Sequence, residues 1–221
     1  MNPKEVLSIV DHTLLHPDAV WEDFKEICDD AVQYQTASVC IPPSRVSQAV
    51  VYLENRIPVC TVVGFPNGYS TDSVKQMETK DAIANGAAEI DMVINIGLLK
   101  EGQMNLLAKE VESLKRICGS KILKVIIETA LLSEQEKIAM CKLVTTTGAD
   151  FIKTSTGFSK GGATIEDIQL FASYVGKGVG IKAAGGIRSF SDAEAMIRAG
   201  ATRLGTSSLI KLLKGKGLLN Y

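Results

Sequence analysis

The sequence is poor in several residue types that mark functional classes. Of 221 residues only two are histidine and one is tryptophan, and aromatic residues make up 5% of the chain. His12 and His16 are too few for a histidine-rich metal site. Positive charge is not in excess, since the net charge is -1, which leaves no electrostatic footprint for nucleic acid. No apolar run approaches the roughly 20 residues that span a bilayer, so no membrane partner is expected. The five cysteines, Cys28, Cys40, Cys60, Cys118 and Cys141, are odd in number and form no Cys-x-x-Cys pair. That usage suits a reduced, cytoplasmic protein. Met1-Asn2-Pro3-Lys4-Glu5 leads into a short apolar run broken by Asp11, which does not read as a signal peptide.

What is present is ordinary globular composition, with 46% apolar and 22% charged residues. The length suits one domain, residues 1–221, with no linker or low-complexity stretch. Eight short apolar runs read as strands: Leu7–Asp11, Ala37–Ile41, Val59–Val63, Ile90–Ile94, Leu123–Ile127, Phe151–Thr154, Val179–Ala183 and Arg203–Gly205. Helical spacing lies between them. Asp72–Ala84 follows Ser70-Thr71 and stops at Gly86. Ser133–Val144 opens with a Ser133/Glu136 capping-box pattern, and Ser191–Ala199 is capped by serine and stops at Gly200. Gly86-Ala87, Gly148-Ala149 and Gly200-Ala201 each end a helix just before a strand, at spacings that fit two βα units. Eight strands, with polar residues at so many strand ends, predict a single-domain (β/α)8 TIM barrel. An open doubly wound sheet would gather its site at one switch point.

In a barrel the chemistry sits at the C-terminal strand ends. Those positions hold Asp11, Thr13, Cys40, Asp91, Asn95, Glu128, Lys153 and Lys182. The two lysines are the sharpest feature, because each directly follows an apolar run. On neighbouring strands their backbones lie roughly 4.8 Å apart. Two ammonium groups that close repel, and one is expected to lose its charge more readily. A neutral lysine attacks carbonyl carbon and forms an imine. The bland reading has each lysine holding a carboxylate at a strand end. Glu89 and Asp91, two apart, share one face of their strand. The lysines are their natural partners, with Glu89 expected to be structural and Asp91 to join a proton relay. A carboxylate metal site ranks low, because the lysines would repel a cation. No cofactor is expected.

Gly185-Gly186 after the seventh strand, and Gly205-Thr206-Ser207-Ser208 after the eighth, occupy the loops where barrels bind phosphate. Glycine lets backbone N–H groups approach an anion. Ser207 and Ser208 would donate further hydrogen bonds, and Arg188 would add charge. Thr154-Ser155-Thr156-Gly157 forms a third wall of the same pocket or caps the next helix. Cys40 is expected to pack, His12 and His16 to serve hydrogen bonding in the first loop, and Trp21 to pack a helix.

The segments FIKTSTGF (Phe151–Phe158), IKAAGGIR (Ile181–Arg188), AAEIDMVINIG (Ala87–Gly97) and GTSS (Gly205–Ser208) resemble the deoxyribose-phosphate aldolase family. So do DHTLL (Asp11–Leu15) and SVCIPP (Ser38–Pro43). The resemblance implies a class I aldolase that cleaves 2-deoxy-D-ribose 5-phosphate reversibly to D-glyceraldehyde 3-phosphate and acetaldehyde. It implies Lys153 as the imine-forming residue, with Lys182 and Asp91 moving protons. It places the phosphate on Gly185, Gly186, Ser207 and Ser208, and lets the terminal Tyr221 reach the site past Lys214-Gly215-Lys216-Gly217. Phe158 stands where some relatives carry lysine, and Lys160 lies in the same loop. A homodimer or homotetramer is the family habit. Two rivals share the phosphate loops: a metal-independent phosphosugar isomerase or epimerase using Asp91 or Glu128 as base, and a non-catalytic sugar-phosphate sensor. Both leave the paired lysines without a role.

Overall fold

The computed structural model describes residues 1–215. Eight parallel strands close in sequence order: β1 Val10–Thr13, β2 Ser38–Ile41, β3 Val59–Val63, β4 Glu89–Val93, β5 Ile122–Ile126, β6 Phe151–Lys153, β7 Gly180–Ala184 and β8 Arg203–Thr206. β8 pairs with β1, and Asp11 sits opposite Gly205 on one side and Ser38 on the other. The helices between them are α1 Pro3–Leu7, α2 Trp21–Tyr34, α3 Val46–Leu53, α4 Asp72–Ala84, α5 Ile96–Lys100, α6 Met104–Cys118, α7 Glu134–Thr146, α8 Ile165–Tyr174, α9 Phe190–Ala199 and α10 Ser208–Leu213. The (β/α)8 barrel read from the sequence is the observed fold.

One strand differs. Leu7–Asp11 does not form β1, because residues 3–7 are helical. Asn2 caps this helix by accepting from Lys4 N, Pro3 suits its first turn, and Glu5 closes a capping box. Val6 and Leu7 are buried on that helix, and the strand begins at Val10. His12 therefore lies in β1 rather than in a loop, with Nε2 3.6 Å from Asp30 of α2. The serine that caps α9 is Ser189, in a capping box with Asp192. Thr71 takes the cap position of α4 without a side-chain hydrogen bond. Trp21 packs edge-on against Tyr52, between α2 and α3.

The strands have two unlike faces. Ile90, Met92, Leu123, Val125, Ile152, Ile181, Ala183 and Leu204 point outward into the core shared with the helices. The alternate positions point into the barrel and are largely polar: Asp11, Ser38, Cys60, Glu89, Asp91, Lys124, Lys153, Lys182 and Arg203. Period-two alternation sends each set to its own face. Barrel interiors are more often filled by branched apolar side chains, so a charged interior calls for a specific reason.

A second buried ion pair anchors the strand ends from outside the barrel. Lys75 of α4 donates to Glu110 Oε1 of α6 (2.5 Å) and to the Val93 carbonyl (2.8 Å). Glu110 Oε2 accepts from Asn95 N at 3.2 Å. Gly64 makes room, since a Cβ there would lie 2.7 Å from Lys75 Cε. The pair joins α4 and α6 to the end of β4, just above Asp91. Glu110→Leu should leave Lys75 unpaired and cost about 3–5 kcal/mol in chemical denaturation, and Lys75→Met combined with Glu110→Leu should recover a large part of it.

Candidate active site

Each interior charge is brought in by its own strand, and strand register sets the neighbours. Lys153 pairs with Lys182, Lys182 with Arg203, and Asp91 with Lys124. Asp91 sits at the centre. Its Oδ2 accepts from Lys153 Nζ (2.8 Å) and Lys182 Nζ (2.7 Å), and its Oδ1 accepts from Lys124 Nζ (2.8 Å). Cys60 Sγ lies 3.2 Å from the same Oδ1. Asp11 accepts from Lys182 and, at 2.6 Å, from Arg203. Lys124 further pairs with Glu89 at 2.5 Å, and Arg203 reaches Glu89 at 3.2 Å. Lys124, Lys182, Asp11 and Asp91 are completely buried.

The two lysines were expected to repel each other and to be natural partners of Glu89 and Asp91. In the structure a carboxylate oxygen stands between them. Burial pushes the Asp91 carboxyl up, but Lys124, Lys153 and Lys182 outweigh it and hold it well below the usual carboxylate range. Asp11 is likewise pushed up by burial and drawn lower still by Lys124, Lys182 and Arg203. For Lys182 burial acts downward, yet Asp11 and Asp91 prevail and keep it charged, above the ordinary lysine range. Lys124 follows the same logic. Four cations, Lys124, Lys153, Lys182 and Arg203, thus meet three carboxylates, Asp11, Glu89 and Asp91. Lys153 has the fewest partners, a single carboxylate that it shares. The cluster thus has one cationic group more than it has carboxylates.

Lys153 is also the member of this cluster that lines the cavity at the barrel mouth. That cavity measures about 290 Å³. Its walls are Thr13 and Leu15 after β1, residues 156–162 after β6, residues 184–188 after β7, and residues 205–208 after β8. Gly185, Gly186, Ser207 and Ser208 all line it, as the sequence predicted, and so do Arg188 and Lys160. Neither of these two cations has an ion-pair partner among the described residues. Gly185 and Gly186 both have φ of +79°, the left-handed region open to glycine. Gly162 allows the β6 and β7 loops to touch, since a Cβ there would lie 2.4 Å from the Gly185 carbonyl carbon. Of the Thr154–Gly157 run, Thr156 and Gly157 line the pocket while Thr154 and Ser155 are fully buried, and Thr164 is the cap of α8. Asp91 and Lys182 do not line the cavity and lie behind Lys153, to which Asp91 is hydrogen-bonded. Tyr221 lies outside the described residues.

Lys124, Arg203 and Cys60 were missed in the sequence. Lys124 carries the signal that flagged Lys153, a charge placed at an alternating position inside an apolar strand. Two groups have donor atoms within 4.8 Å of one another: Cys40, Cys60 and Asp91, and Asp11, Cys60 and Glu89. In both, the carboxylates are already bonded to ammonium or guanidinium groups, which a metal ion would have to displace. Cys40 is fully buried and packs with Cys60.

Fold and site together define a barrel enzyme with an amine set under a mouth lined by glycines and serines. More particularly, the chain belongs to the DeoC/LacD aldolase family, whose model matches residues 5–215. It is 55% identical over 218 residues to a deoxyribose-phosphate aldolase of Clostridioides difficile, covering 99% of this chain and 100% of that one. A deoxyribose-phosphate aldolase of Clostridium botulinum is 53% identical over 221 residues, covering 100% of both. The structure of the tetrameric deoxyribose phosphate aldolase of Aeropyrum pernix superposes with a TM-score of 0.90 at 31% identity, covering 97% of this chain and 92% of that one.

Asp91→Asn should abolish turnover and cost about 3–5 kcal/mol at neutral pH, because it leaves buried ammonium groups without their shared partner. The native carboxyl lies below its unfolded value of about 3.9, so its contribution is complete above that value. It is lost as pH falls through the folded value. Denaturation across pH should show a constant gap between the native protein and Asp91→Asn from about pH 5 to 8, narrowing below about pH 4.

Proposed function

We propose that this chain cleaves 2-deoxy-D-ribose 5-phosphate reversibly to D-glyceraldehyde 3-phosphate and acetaldehyde, with Lys153 as the nucleophile. The observation that carries the reading is the position of Lys153. It alone in the charged cluster opens onto the cavity whose far wall is the glycine and serine loops. The family and its named relatives support the same activity.

The reaction follows from that placement. Lys153 Nζ, as free amine, attacks C1 of the open-chain sugar, and loss of water gives a protonated imine. The C3 hydroxyl gives up its proton to a solvent water in the open mouth, the C2–C3 bond breaks, and its electron pair flows into the imine to form an enamine. The fragment that leaves is glyceraldehyde 3-phosphate, with C3 as its new aldehyde carbon. The enamine is protonated at carbon and hydrolysed to acetaldehyde, which frees Lys153. Lys182, held charged by Asp11 and Asp91, supplies a proton through the Asp91 carboxylate that joins it to Lys153. The protonated imine is the electron sink, so the step needs no Lewis acid.

Phosphate on Gly185, Gly186, Ser207 and Ser208, with Arg188 and Lys160 adding charge, provides binding energy remote from the bond that breaks. Residues 1–221 would act as one domain. Five buried free cysteines fit a cytoplasmic protein, and no helix among the described residues is long and apolar enough to cross a membrane. A homodimer or homotetramer is in keeping with the tetrameric Aeropyrum pernix relative, and light scattering reads it directly.

Incubation with 2-deoxy-D-ribose 5-phosphate should release acetaldehyde and glyceraldehyde 3-phosphate in equal amounts. A rearranged pentose phosphate without acetaldehyde would mark an isomerase instead. Arg188→Ala should raise KM for the phosphorylated sugar by about tenfold, the worth of one charge-assisted hydrogen bond. Steady-state kinetics should show acetaldehyde self-condensation unchanged in the same variant.

A further inference from the structure

Glu128 has no part in the charge cluster, yet it is among the most constrained residues near the mouth. It directly follows Ile127 at the end of β5, and its side chain is buried. Its backbone sits at φ 56°, ψ 66°, a left-handed conformation that is strained for a non-glycine residue. It forms no ion pair among the described residues. Its Oε2 instead accepts from both the N–H (3.1 Å) and the Oγ1 hydroxyl (2.5 Å) of Thr156. Thr156 Oγ1 accepts in turn from Phe158 N at 3.1 Å. Phe158 packs edge-on against Phe65 with ring centroids 5.3 Å apart. Thr156, Gly157 and Phe158 line the cavity together with Lys153.

These bonds set the polarity of one oxygen. A threonine hydroxyl has one proton and two lone pairs. Thr156 gives its proton to Glu128 and one lone pair to the Phe158 N–H. What remains for the cavity is a lone pair, so Thr156 can only accept. The hydroxyl of the sugar that loses its proton as the carbon–carbon bond breaks is a donor, and an acceptor fixed beside Lys153 would orient it. Backbone strain held by several hydrogen bonds is a common sign of such a device.

We infer that Glu128 is a positioning residue that fixes Thr156 as a hydrogen-bond acceptor for a substrate hydroxyl and holds the 156–158 wall against Lys153. The inference rests on the proposed cleavage and adds to it a reason why a hydroxylated substrate is selected. It separates two activities of one site. Cleavage of the sugar needs the acceptor, whereas imine formation between Lys153 and acetaldehyde, which has no hydroxyl to orient, does not.

The test compares Glu128→Gln, Glu128→Gly, Thr156→Val and the Glu128→Gly/Thr156→Val double variant. Glycine suits the backbone at residue 128, so Glu128→Gly should keep or raise the melting temperature. Its kcat/KM for 2-deoxy-D-ribose 5-phosphate should fall on the order of 100-fold, the usual cost of a misplaced substrate contact. Glu128→Gln keeps an acceptor oxygen and should restore most of the activity. Thr156→Val should show the same loss, and the double variant should be no worse than either single change. Acetaldehyde-dependent reduction by borohydride should stay at the native level in all four. Native cleavage in Glu128→Gly or Thr156→Val, or losses that multiply in the double variant, overturns the inference alone. No reduction in the unsubstituted protein overturns the proposed cleavage as well.

Discussion

Four cationic side chains in the buried interior of a barrel can be held only if carboxylates stand between them, and Asp91 is the residue on which that arrangement turns. One of its oxygens takes the protons of two lysines and the other takes a third. Without it the amines of β5, β6 and β7 would face each other in a medium that screens poorly, and one charge left unpaired there costs several kcal/mol. The remaining interior residues extend the same solution. Asp11 and Glu89 divide Lys124, Lys182 and Arg203 between them. The barrel interior holds its ammonium groups because each has a carboxylate within hydrogen-bond reach.

The network also sets the two lysines apart. Lys182 touches two carboxylates and is sealed from the cavity, whereas Lys153 shares one and opens onto it. Exposure and charge balance favour the same residue for different reasons. The loops after β6, β7 and β8 then close round that amine with glycines that allow close backbone approach and with the hydroxyls of Thr156, Ser207 and Ser208. Outside the barrel, the pairing of Lys75 with Glu110 ties helices to the end of β4 and so holds the strand that carries Asp91. The site is supported from both faces of the sheet.

Much of this was legible in the sequence. Strands β2 to β8 fall within a residue of where apolar runs placed them, because each run is bounded by glycine, proline or polar residues. The first strand was displaced by three residues at its start. Val6, Leu7, Ile9 and Val10 form one apolar run, and only the Asn2/Glu5 capping box shows that its first half is helical. Lys153, Lys182 and Asp91 were visible as charges against apolar runs, and the loops of the mouth as glycines and serines at strand ends. Lys124 carried the same mark but lay inside its apolar run rather than at the strand end. The partnership of Asp11 with Arg203, 192 residues apart, depends on β1 meeting β8, and only closure of the barrel brings them together. Glu128 was visible as a strand-end carboxylate, but its bond to Thr156 depends on the loop conformation.

The central claim is that Lys153 is the amine that meets the substrate carbonyl. Reduction with borohydride in the presence of acetaldehyde, followed by peptide mass mapping, tests it most directly. An ethyl group on Lys153 is the result this account predicts. An ethyl group on Lys182 would contradict the reading of charge and exposure that separates the two lysines, and a folded protein with no adduct would contradict the imine itself.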